Sequence, residues 1–485
     1  MTFARLRASA FFLFLATAAR AQVVGGTIAG VVTDPSGAIV QHASVIVRNE
    51  ETGTHRALLT GDDGRFAAIS IPAGRYTLTA EAPGFANYKL INLPLTVGQS
   101  ISLHVALAIS GNDAIDVSSQ PLGVNLSTEE TSGVVDARQV KDLPLNGRSY
   151  DQLLTLNPAS VNYTGRRSGS VGTSNSSVGN MFSISGRRPQ DNLYLLNGIE
   201  YTGASLINVT PGGTSGQLLG VDGIREFNVM SDSYSAAYGK RDGAQISIVT
   251  ASGTNHLHGA AYEYLRNSFF DARNYFDQAR IPEFQRNNFG TSLGGPIRTN
   301  KLFLFGNYEG FRQNLGLSNA ALVPDATSRA AAAPSVKPLL NLWPVANGPE
   351  LLDSNGKPTG IAYAYSSPTQ RIREDFGTTR FDANLTANDL LFAVYTVDDS
   401  TAHTPTANPY SIIDEDLREQ VASVQEQHIF SSKLLNTARV GYSRASFYFV
   451  GSLPADIQSI TSTFVPGKPT GAVVIAGSTA SNGSS

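Results

Sequence analysis

The chain has 485 residues, with 36 Lys plus Arg against 39 Asp plus Glu and a net charge of −3 at pH 7. Charged residues make up 15% of it, against about 25% in ordinary soluble proteins, and cysteine is absent. This composition lacks the basic footprint of nucleic-acid binding and excludes disulfides, thiolate metal sites and cysteine nucleophiles. At ~150 residues per domain, the length predicts about three folded units.

Residues 1–21 have the features of a signal peptide. Arg5 and Arg7 precede an apolar stretch at residues 10–16, and the small-x-small pattern at residues 19–21 predicts the cleavage site. The apolar stretch is well short of the ~20 residues needed to span a bilayer, and no later segment reaches that length. An exported chain of this kind is periplasmic, secreted or inserted in a membrane as a β-barrel.

Residues 22–110 are predicted to form a small β-sandwich of roughly seven strands. Turn residues recur at 34–37, 62–64 and 72–74, and each group contains Gly together with Asp or Pro. Between the turns, apolar and polar residues alternate, as they do along residues 101–107. This period of two places one face of each strand in a core.

Residues 60–85 are similar to the carboxypeptidase regulatory-like domain, a prealbumin-like sandwich related in fold to starch-binding modules. The matching positions are Gly64, Phe66, Ile71, Pro72, Gly74, Tyr76, Leu78, Gly84 and Phe85. The family's name invites a peptidase hypothesis, but none of the seven His residues begins an HxxE or HExxH pattern. The resemblance therefore implies a non-catalytic domain, whose expected role is carbohydrate or protein binding.

Residues 111–255 are predicted to be a mixed α/β domain. Asp136 is a suitable N-cap for one short helix, and residues 143–159 predict a second helix that ends at Asn157-Pro158. Asn197-Gly198 is the dipeptide that best tolerates the positive φ angles of a tight hairpin. Strands are predicted at residues 193–196, 199–201, 224–230 and 245–250.

Four blocks of this domain carry a second resemblance. They are LPLNGR (143–148), FSISGRRPQDNLYLLNGIEYTG (182–203), IREFNVMSDSYSAAYG (224–239) and GAQISIVTASGTN (243–255). In this order they are similar to the plug domain of TonB-dependent outer-membrane receptors, in the Oar-like subgroup, where a carboxypeptidase regulatory-like domain precedes the plug. The resemblance implies a plug inside a barrel of about twenty-two strands.

Residues 256–485 are predicted to form part of an antiparallel transmembrane β-barrel. Apolar and polar residues alternate along residues 380–385 and 437–443, so that one face of each strand suits lipid and the other a watery lumen. A soluble β-sandwich alternates in the same way, and the signal peptide and plug motifs favour the barrel. About seven strands fit this segment, with a connection of ~60 residues between Gln313 and Glu374 that is expected outside the cell. The expected fold class is therefore mainly β.

Seven strands are too few to surround the predicted plug. At ~6.3 Å of circumference per tilted strand they enclose a circle ~14 Å across, whereas a plug of ~130 residues is roughly 36 Å wide. The strands and loops of a full barrel need at least ~450 residues, and ~230 follow residue 255. The sequence is therefore interpreted as the N-terminal part of a longer receptor, or as a truncated gene product.

Two patterns with catalytic or metal-binding potential are rejected from the sequence. Residues 290–294 match the GxSxG nucleophile elbow, with His403 and His428 following, but Gly-Gly-Pro and then a strand follow where the elbow needs a helix. His256 and His258 share one side of a strand without an acidic or His cluster nearby. No nucleotide-binding motif is present. An enzyme, a cofactor and a metal site are not expected.

Two sets of residues are candidates for receptor function. The candidate TonB box is Ile115, Asp116, Val117, Ser118 and Ser119, for which an ordinary interdomain linker is an equal alternative. The candidate polar groups of the plug are Arg187, Arg188, Asp191 and Asn192, for which a purely structural role is favoured. An extended segment binds a partner by adding a strand to a sheet edge, and five alternating residues suffice.

The expected function is active passage of a solute across the Gram-negative outer membrane. The expected partners are the inner-membrane TonB energy-coupling complex, outer-membrane lipid, and a small solute or an oligosaccharide or peptide ligand. Nucleic acid is not among them. The alternative is a surface or periplasmic protein that uses the sandwich to hold glycan or protein.

Overall fold

The structure of the chain is a computed structural model. It describes residues 25–109, 115–118, 131–164, 179–201, 210–234, 238–273, 281–431, 434–454, 457, 472–475 and 478–481. The predicted signal peptide lies outside the described residues. No helix within the described ranges combines the length and apolar character that crossing a membrane requires.

The first folded unit is a β-sandwich. Its strands are β1 (Gly26–Thr33), β2 (Ser44–Asn49), β3 (His55–Leu59), β4 (Arg65–Ile71), β5 (Gly74–Glu81), β6 (Tyr88–Leu95), β7 (Ser100–Ala106) and β8 (Ile115–Ser118). They form two sheets, with the orders β4-β1-β7 and β3-β2-β5-β6-β8. Every second residue of the facing strands fills the core, where Phe66, Tyr76 and Leu78 are 5%, 3% and 0% exposed.

The second unit, called the central domain, spans residues 131–255. Its strands are β9 (Thr131–Val135), β10 (Ser160–Asn162), β11 (Phe182–Ile184), β12 (Leu193–Leu196), β13 (Ile199–Glu200), β14 (Ile224–Asp232) and β15 (Gln245–Thr250). Five of them form the sheet β13-β12-β15-β14-β9, and β10 pairs with β11. Strand β12 runs parallel to β15, so the sheet is mixed.

Local sequence signals explain the short elements of the central domain. Helix α1 (Ala137–Asp142) begins after Asp136, whose carboxylate accepts the backbone N–H groups of Arg138 and Gln139. The second predicted helix is a 3-10 helix at Tyr150–Leu156. The hairpin of β12 and β13 turns at Asn197-Gly198, both with positive φ, as the dipeptide predicts.

The third unit is dominated by one large antiparallel sheet, called the long sheet. Its strands are β16 (His258–Asn267), β17 (Phe284–Arg298), β18 (Leu302–Gly316), β22 (Thr369–Asn384), β23 (Asp389–Pro405), β24 (Ile412–Ser431) and β25 (Leu434–Ser452), in that order. Between β18 and β22 lie β19 (Asn319–Pro324), β20 (Glu350–Leu352) and β21 (Pro358–Ser366), and after β25 lie β26 (Ala472–Ile475) and β27 (Ser478–Ser481). Strands β16 and β25 stay unpaired with each other, so the sheet is open among the described residues.

The two faces of the long sheet differ in what covers them. On β18 alternate residues such as Phe303, Asn307 and Glu309 are buried beneath the central domain, whereas Leu304 is 44% and Tyr308 39% exposed. The uncovered face carries a band of large apolar and aromatic residues. They include Leu293, Leu304, Tyr395, Val424, Val440 and Tyr442. Such a band on one face and polar groups on the other is the pattern of a membrane β-barrel wall.

The connection between β18 and β22 has secondary structure of its own. It forms the sheet β19-β21-β20, with helix α2 (Ala326–Ala331) and a 3-10 helix at Lys337–Leu342. Trp343 is 1% exposed in its core, among Val323, Leu342 and Leu453. This connection is called the loop module.

The observed architecture confirms the expected fold class. The chain is mainly β and consists of an N-terminal sandwich, a mixed α/β domain, and antiparallel strands of a barrel that does not close among the described residues. The central domain packs on one face of the long sheet, and Val421 of β24 belongs to its hydrophobic core.

Candidate functional site

The contact between the central domain and the long sheet is built around Arg148. Its guanidinium is 2.6 Å from Asp222 of the same domain and 3.1 Å from Glu309 of β18. The side chains are 13%, 11% and 0% exposed, respectively. Glu309 also accepts the backbone N–H of Gly220 at 3.0 Å. Ionised partners and good geometry make these contacts stronger than neutral hydrogen bonds.

Two tyrosines of β16 enclose the same arginine. The guanidinium carbon of Arg148 lies 3.9 Å from the ring centroid of Tyr262 and 5.1 Å from that of Tyr264. Cation–π attraction of this kind offsets part of the cost of removing the guanidinium from water. Arg148 is therefore held by three elements, only one of which belongs to its own domain.

A glycine-rich turn of the central domain forms a second contact with the long sheet. Ser215 donates its backbone N–H to Glu374 of β22 at 3.0 Å, and Thr214 donates its own to the hydroxyl of Ser400 at 2.9 Å. A Cβ atom on Gly213 would lie 2.3 Å from the Glu374 carboxylate carbon. Only glycine lets the backbone approach the carboxylate this closely.

The wall behind this turn is rich in buried acidic groups. Asp398 of β23 lies directly opposite Glu419 of β24 and is 1% exposed, while Glu374 and Glu419 are 0% and 2% exposed. The Asp398 carboxyl group shares a side-chain hydrogen bond with that of Glu374. Burial of several carboxyl groups together is costly. This contact therefore tolerates separation better than an apolar core of the same size would.

Asp151 is a buried carboxyl inside the central domain. Ser149 donates its hydroxyl to it at 2.5 Å, and the Asn180 amide donates to both of its oxygens at 3.1 and 3.0 Å. Burial raises the pKa of Asp151 to about 6, against the lowering effect of those hydrogen bonds. The group links the 3-10 helix to the segment that precedes β11.

The stability of the chain should therefore depend on pH through Asp151. Because its folded pKa of about 6 exceeds the unfolded value of 3.8, the folded state binds the proton more tightly. The corresponding stability is fully present below the unfolded value and is lost as pH rises through about 6, a change of about 3 kcal/mol. Urea unfolding midpoints between pH 4 and 8 measure it. Asp151→Asn should flatten this slope, and the exposed Asp63→Asn should not. An unchanged slope in Asp151→Asn would contradict the assignment.

The four candidate polar groups lie together at the 3-10 helix Pro189–Asp191, and the hydrogen bonds described below join them to their own domain. Asn192 is 0% exposed, donates to the Phe182 carbonyl at 2.8 Å and accepts the Ala244 N–H at 3.0 Å. Arg187 donates to the Ser231 carbonyl at 3.2 Å, and Asp191 accepts the Arg188 N–H at 3.2 Å. The sequence does not single out Asp222, Glu309 and Glu374 as contact residues. For Arg148 the one sequence signal is its place within the LPLNGR block.

The candidate TonB box lies at the edge of the sandwich. Ile115–Ser118 form β8, which runs parallel to β6 with Ile115 opposite Tyr88 and Ser118 opposite Ile91. Ser119 lies outside the described residues. The segment is extended, as a strand-adding segment must be, and one of its edges is already paired.

Ser292, His403 and His428 lie on three different strands of the long sheet. Ser292 lies within the continuous strand β17, and His403 and His428 each pair with an aspartate, Asp414 at 2.6 Å and Asp389 at 2.5 Å. In the part of the chain that the structure describes, one group has metal-ligand spacing: Asp389, Glu426 and His428, with ligand atoms within 4.8 Å of one another. In this group the Asp389 carboxylate forms hydrogen bonds with the side chains of His428 and Thr386.

Comparisons with known proteins bear on the first and third units. Residues 249–335 and 327–484 match the family described as outer membrane beta barrel domain, and residues 27–108 match the carboxypeptidase regulatory-like domain. Over 320 residues the chain is 24% identical to the TonB-dependent transporter Oar of Myxococcus xanthus. This match covers 61% of this chain and 27% of the transporter. The chain is therefore similar to TonB-dependent transporters of the outer membrane.

The chain is a protein of the outer membrane, and it spans about a quarter of the length of the Myxococcus transporter. Solved structures similar to it include the outer membrane transporter YddB of Escherichia coli, at 14% identity and a TM-score of 0.44, covering 66% of this chain and 39% of that one. The siderophore receptor PirA of Acinetobacter baumannii is similar at 12% identity and a TM-score of 0.36, covering 66% and 45%.

Proposed function

We propose that the receptor moves a solute actively across the outer membrane. In this proposal residues 22–110 form a periplasmic accessory domain, residues 111–255 the plug and residues 256–485 barrel wall. The observation that carries it is the buried contact of Arg148 with Glu309, which fixes a compact domain to one face of the long sheet. The opposite face presents apolar side chains for outer-membrane lipid.

The chemistry of the contact suits a domain that has to move. Apolar cores resist opening because apolar surface must return to water. Here charged and polar groups supply much of the contact, and they regain hydrogen bonds to water on separation. Displacement of the central domain is therefore less costly than opening a hydrophobic interface of equal area.

The force for displacement is proposed to reach the receptor through Ile115–Ser119 and the TonB complex. A pull-down of the full chain by the periplasmic domain of TonB tests this. A synthetic peptide of residues 113–120 should compete for the binding, whereas a scrambled peptide should not. Capture that the peptide does not reduce would contradict the box assignment, and complete absence of capture would contradict the function.

The transported ligand is proposed to be a small solute, an oligosaccharide or a peptide. Arg187, Arg188, Asp191 and Asn192 are proposed to act by keeping the central domain rigid, since Asn192 joins the segment at Phe182 to β15. A binding screen on the purified receptor tests this role. Substitution of Arg188 should leave ligand affinity within twofold of the wild type, and a larger loss would assign it to the ligand.

A further inference from the structure

The sandwich is joined to the central domain by ionic and backbone contacts. The Glu51 carboxylate is 2.9 Å from the Arg225 guanidinium. Val97 of the sandwich donates its N–H to the Glu226 carboxylate and accepts the Asn228 side-chain amide at 3.3 Å. These partners lie on β14 of the central domain.

The same sandwich is also joined to the long sheet. Arg56 donates to the Gln427 side-chain oxygen at 2.7 Å, and Gln427 in turn donates to the Ser70 carbonyl at 3.0 Å. Asn384 donates to the Thr54 hydroxyl at 2.9 Å. Each of these bonds joins residues more than 300 positions apart in the chain.

The contacts just described between the sandwich and the long sheet lie at one end of that sheet. Asn384 ends β22, Gln427 lies close to the end of β24, and Asn300 is in the short turn between β17 and β18, next to Gly53. Asn255, the last residue of the central domain, donates its N–H to the Glu51 carbonyl at 2.9 Å. The sandwich therefore covers the line along which the central domain meets the end of the long sheet.

The junction of the three units is not densely filled. A cavity of about 120 Å³ lies between them, lined by Tyr76 of the sandwich, Arg225 of the central domain and Arg380 of the long sheet. This volume holds a few waters but is below the usual size of a ligand pocket. The sandwich is therefore held by separate polar bonds around a small cavity. Such a contact can detach as a unit, whereas a continuous close-packed core cannot.

We propose that the sandwich is a clamp: it holds the central domain against the long sheet and has to detach before the central domain can move. This inference rests on the proposed function, because it assigns the sandwich a regulatory role in the displacement of the central domain. A unit bonded to both neighbours resists their separation, since moving the central domain alone breaks the Glu51 and Val97 contacts while Arg56 and Thr54 keep the sandwich in place.

Hydrogen exchange on the full chain in detergent tests the clamp without a ligand or TonB. The double variant Glu51→Ala/Arg56→Ala removes one bond to each neighbour. Backbone amides of residues 224–232 should exchange at least tenfold faster in this variant, because the central domain opens more often. The matched control is Asp63→Ala/Arg65→Ala, which removes an ion pair on the exposed side of the same sandwich and should change the exchange less than twofold.

A disulfide provides the opposite perturbation. A Cβ atom on residue 53 would lie 2.9 Å from the side-chain carbonyl carbon of Asn300, so Gly53→Cys/Asn300→Cys places two thiols within bonding distance in a chain without other cysteines. Oxidation should slow exchange of residues 224–232 at least tenfold relative to the reduced form of the same variant.

Two results would overturn the clamp. One is unchanged exchange of residues 224–232 in Glu51→Ala/Arg56→Ala while residues 44–59 show that the sandwich has detached. The other is equal exchange of residues 224–232 in the oxidised and reduced cysteine variant. Failure here leaves the TonB pull-down unaffected, so it is distinguishable from failure of the proposed function.

Discussion

Replacing Arg148 with methionine should destabilise the protein by about 3–5 kcal/mol, the usual cost of breaking a buried ion pair from one side. The substitution leaves Glu309, which is 0% exposed, and Asp222 without their common cation. It also removes the charge that Tyr262 and Tyr264 face. Denaturant unfolding of the detergent-solubilised chain measures the loss.

Two further variants separate the buried pair from a general effect of removing charge. Arg138→Met removes an exposed arginine whose carboxylate partner, Asp142, is one helical turn away, and it should cost less than about 0.5 kcal/mol. Arg148→Met/Glu309→Gln removes the uncompensated carboxylate and should recover part of the loss. Equal destabilisation by Arg138→Met and Arg148→Met would contradict the role of the buried contact.

Gly213→Ala is expected to cost about 3 kcal/mol, at the upper end of the usual overpacking effects. Its methyl group would lie 2.3 Å from the carboxylate carbon of Glu374, so the glycine-rich turn has to withdraw from β22. Withdrawal also breaks the bond from Ser215 to the same carboxylate. Thermal unfolding, with limited proteolysis of the turn at residues 210–216, measures both effects.

The matched control for Gly213→Ala is Gly239→Ala. An added Cβ on Gly239 has nothing within 4 Å, and this glycine belongs to the same domain. The double variant Gly213→Ala/Glu374→Ala makes room for the methyl group and should be more stable than Gly213→Ala alone. If the double variant is less stable than Gly213→Ala, the clash is not the cause.

Elements set by nearby residues could be predicted from the sequence. Asp136 caps α1 because its carboxylate reaches N–H groups two and three residues ahead, and Asn197-Gly198 makes the hairpin because both residues accept positive φ. The seven strands of the long sheet follow from their period of two. These signals lie within a few residues, so one chain without relatives is sufficient to read them.

The contacts between units could not be predicted in the same way. Arg148 and Glu309 are 161 positions apart, and alternation alone does not tell which face of β18 is covered. Both Glu374 and Asp375 are acidic and adjacent, yet they point to opposite faces, and only the former meets the central domain. The register that decides this depends on the packing of the whole domain.

The loop module contains a natural fluorescence probe. Trp343 is the single tryptophan of the sequence, and its indole is enclosed beside Leu342 and Val323. Emission excited selectively from tryptophan therefore arises from this one location. A shift of its wavelength on addition of a solute would report a rearrangement at the β18 to β22 connection, without any label.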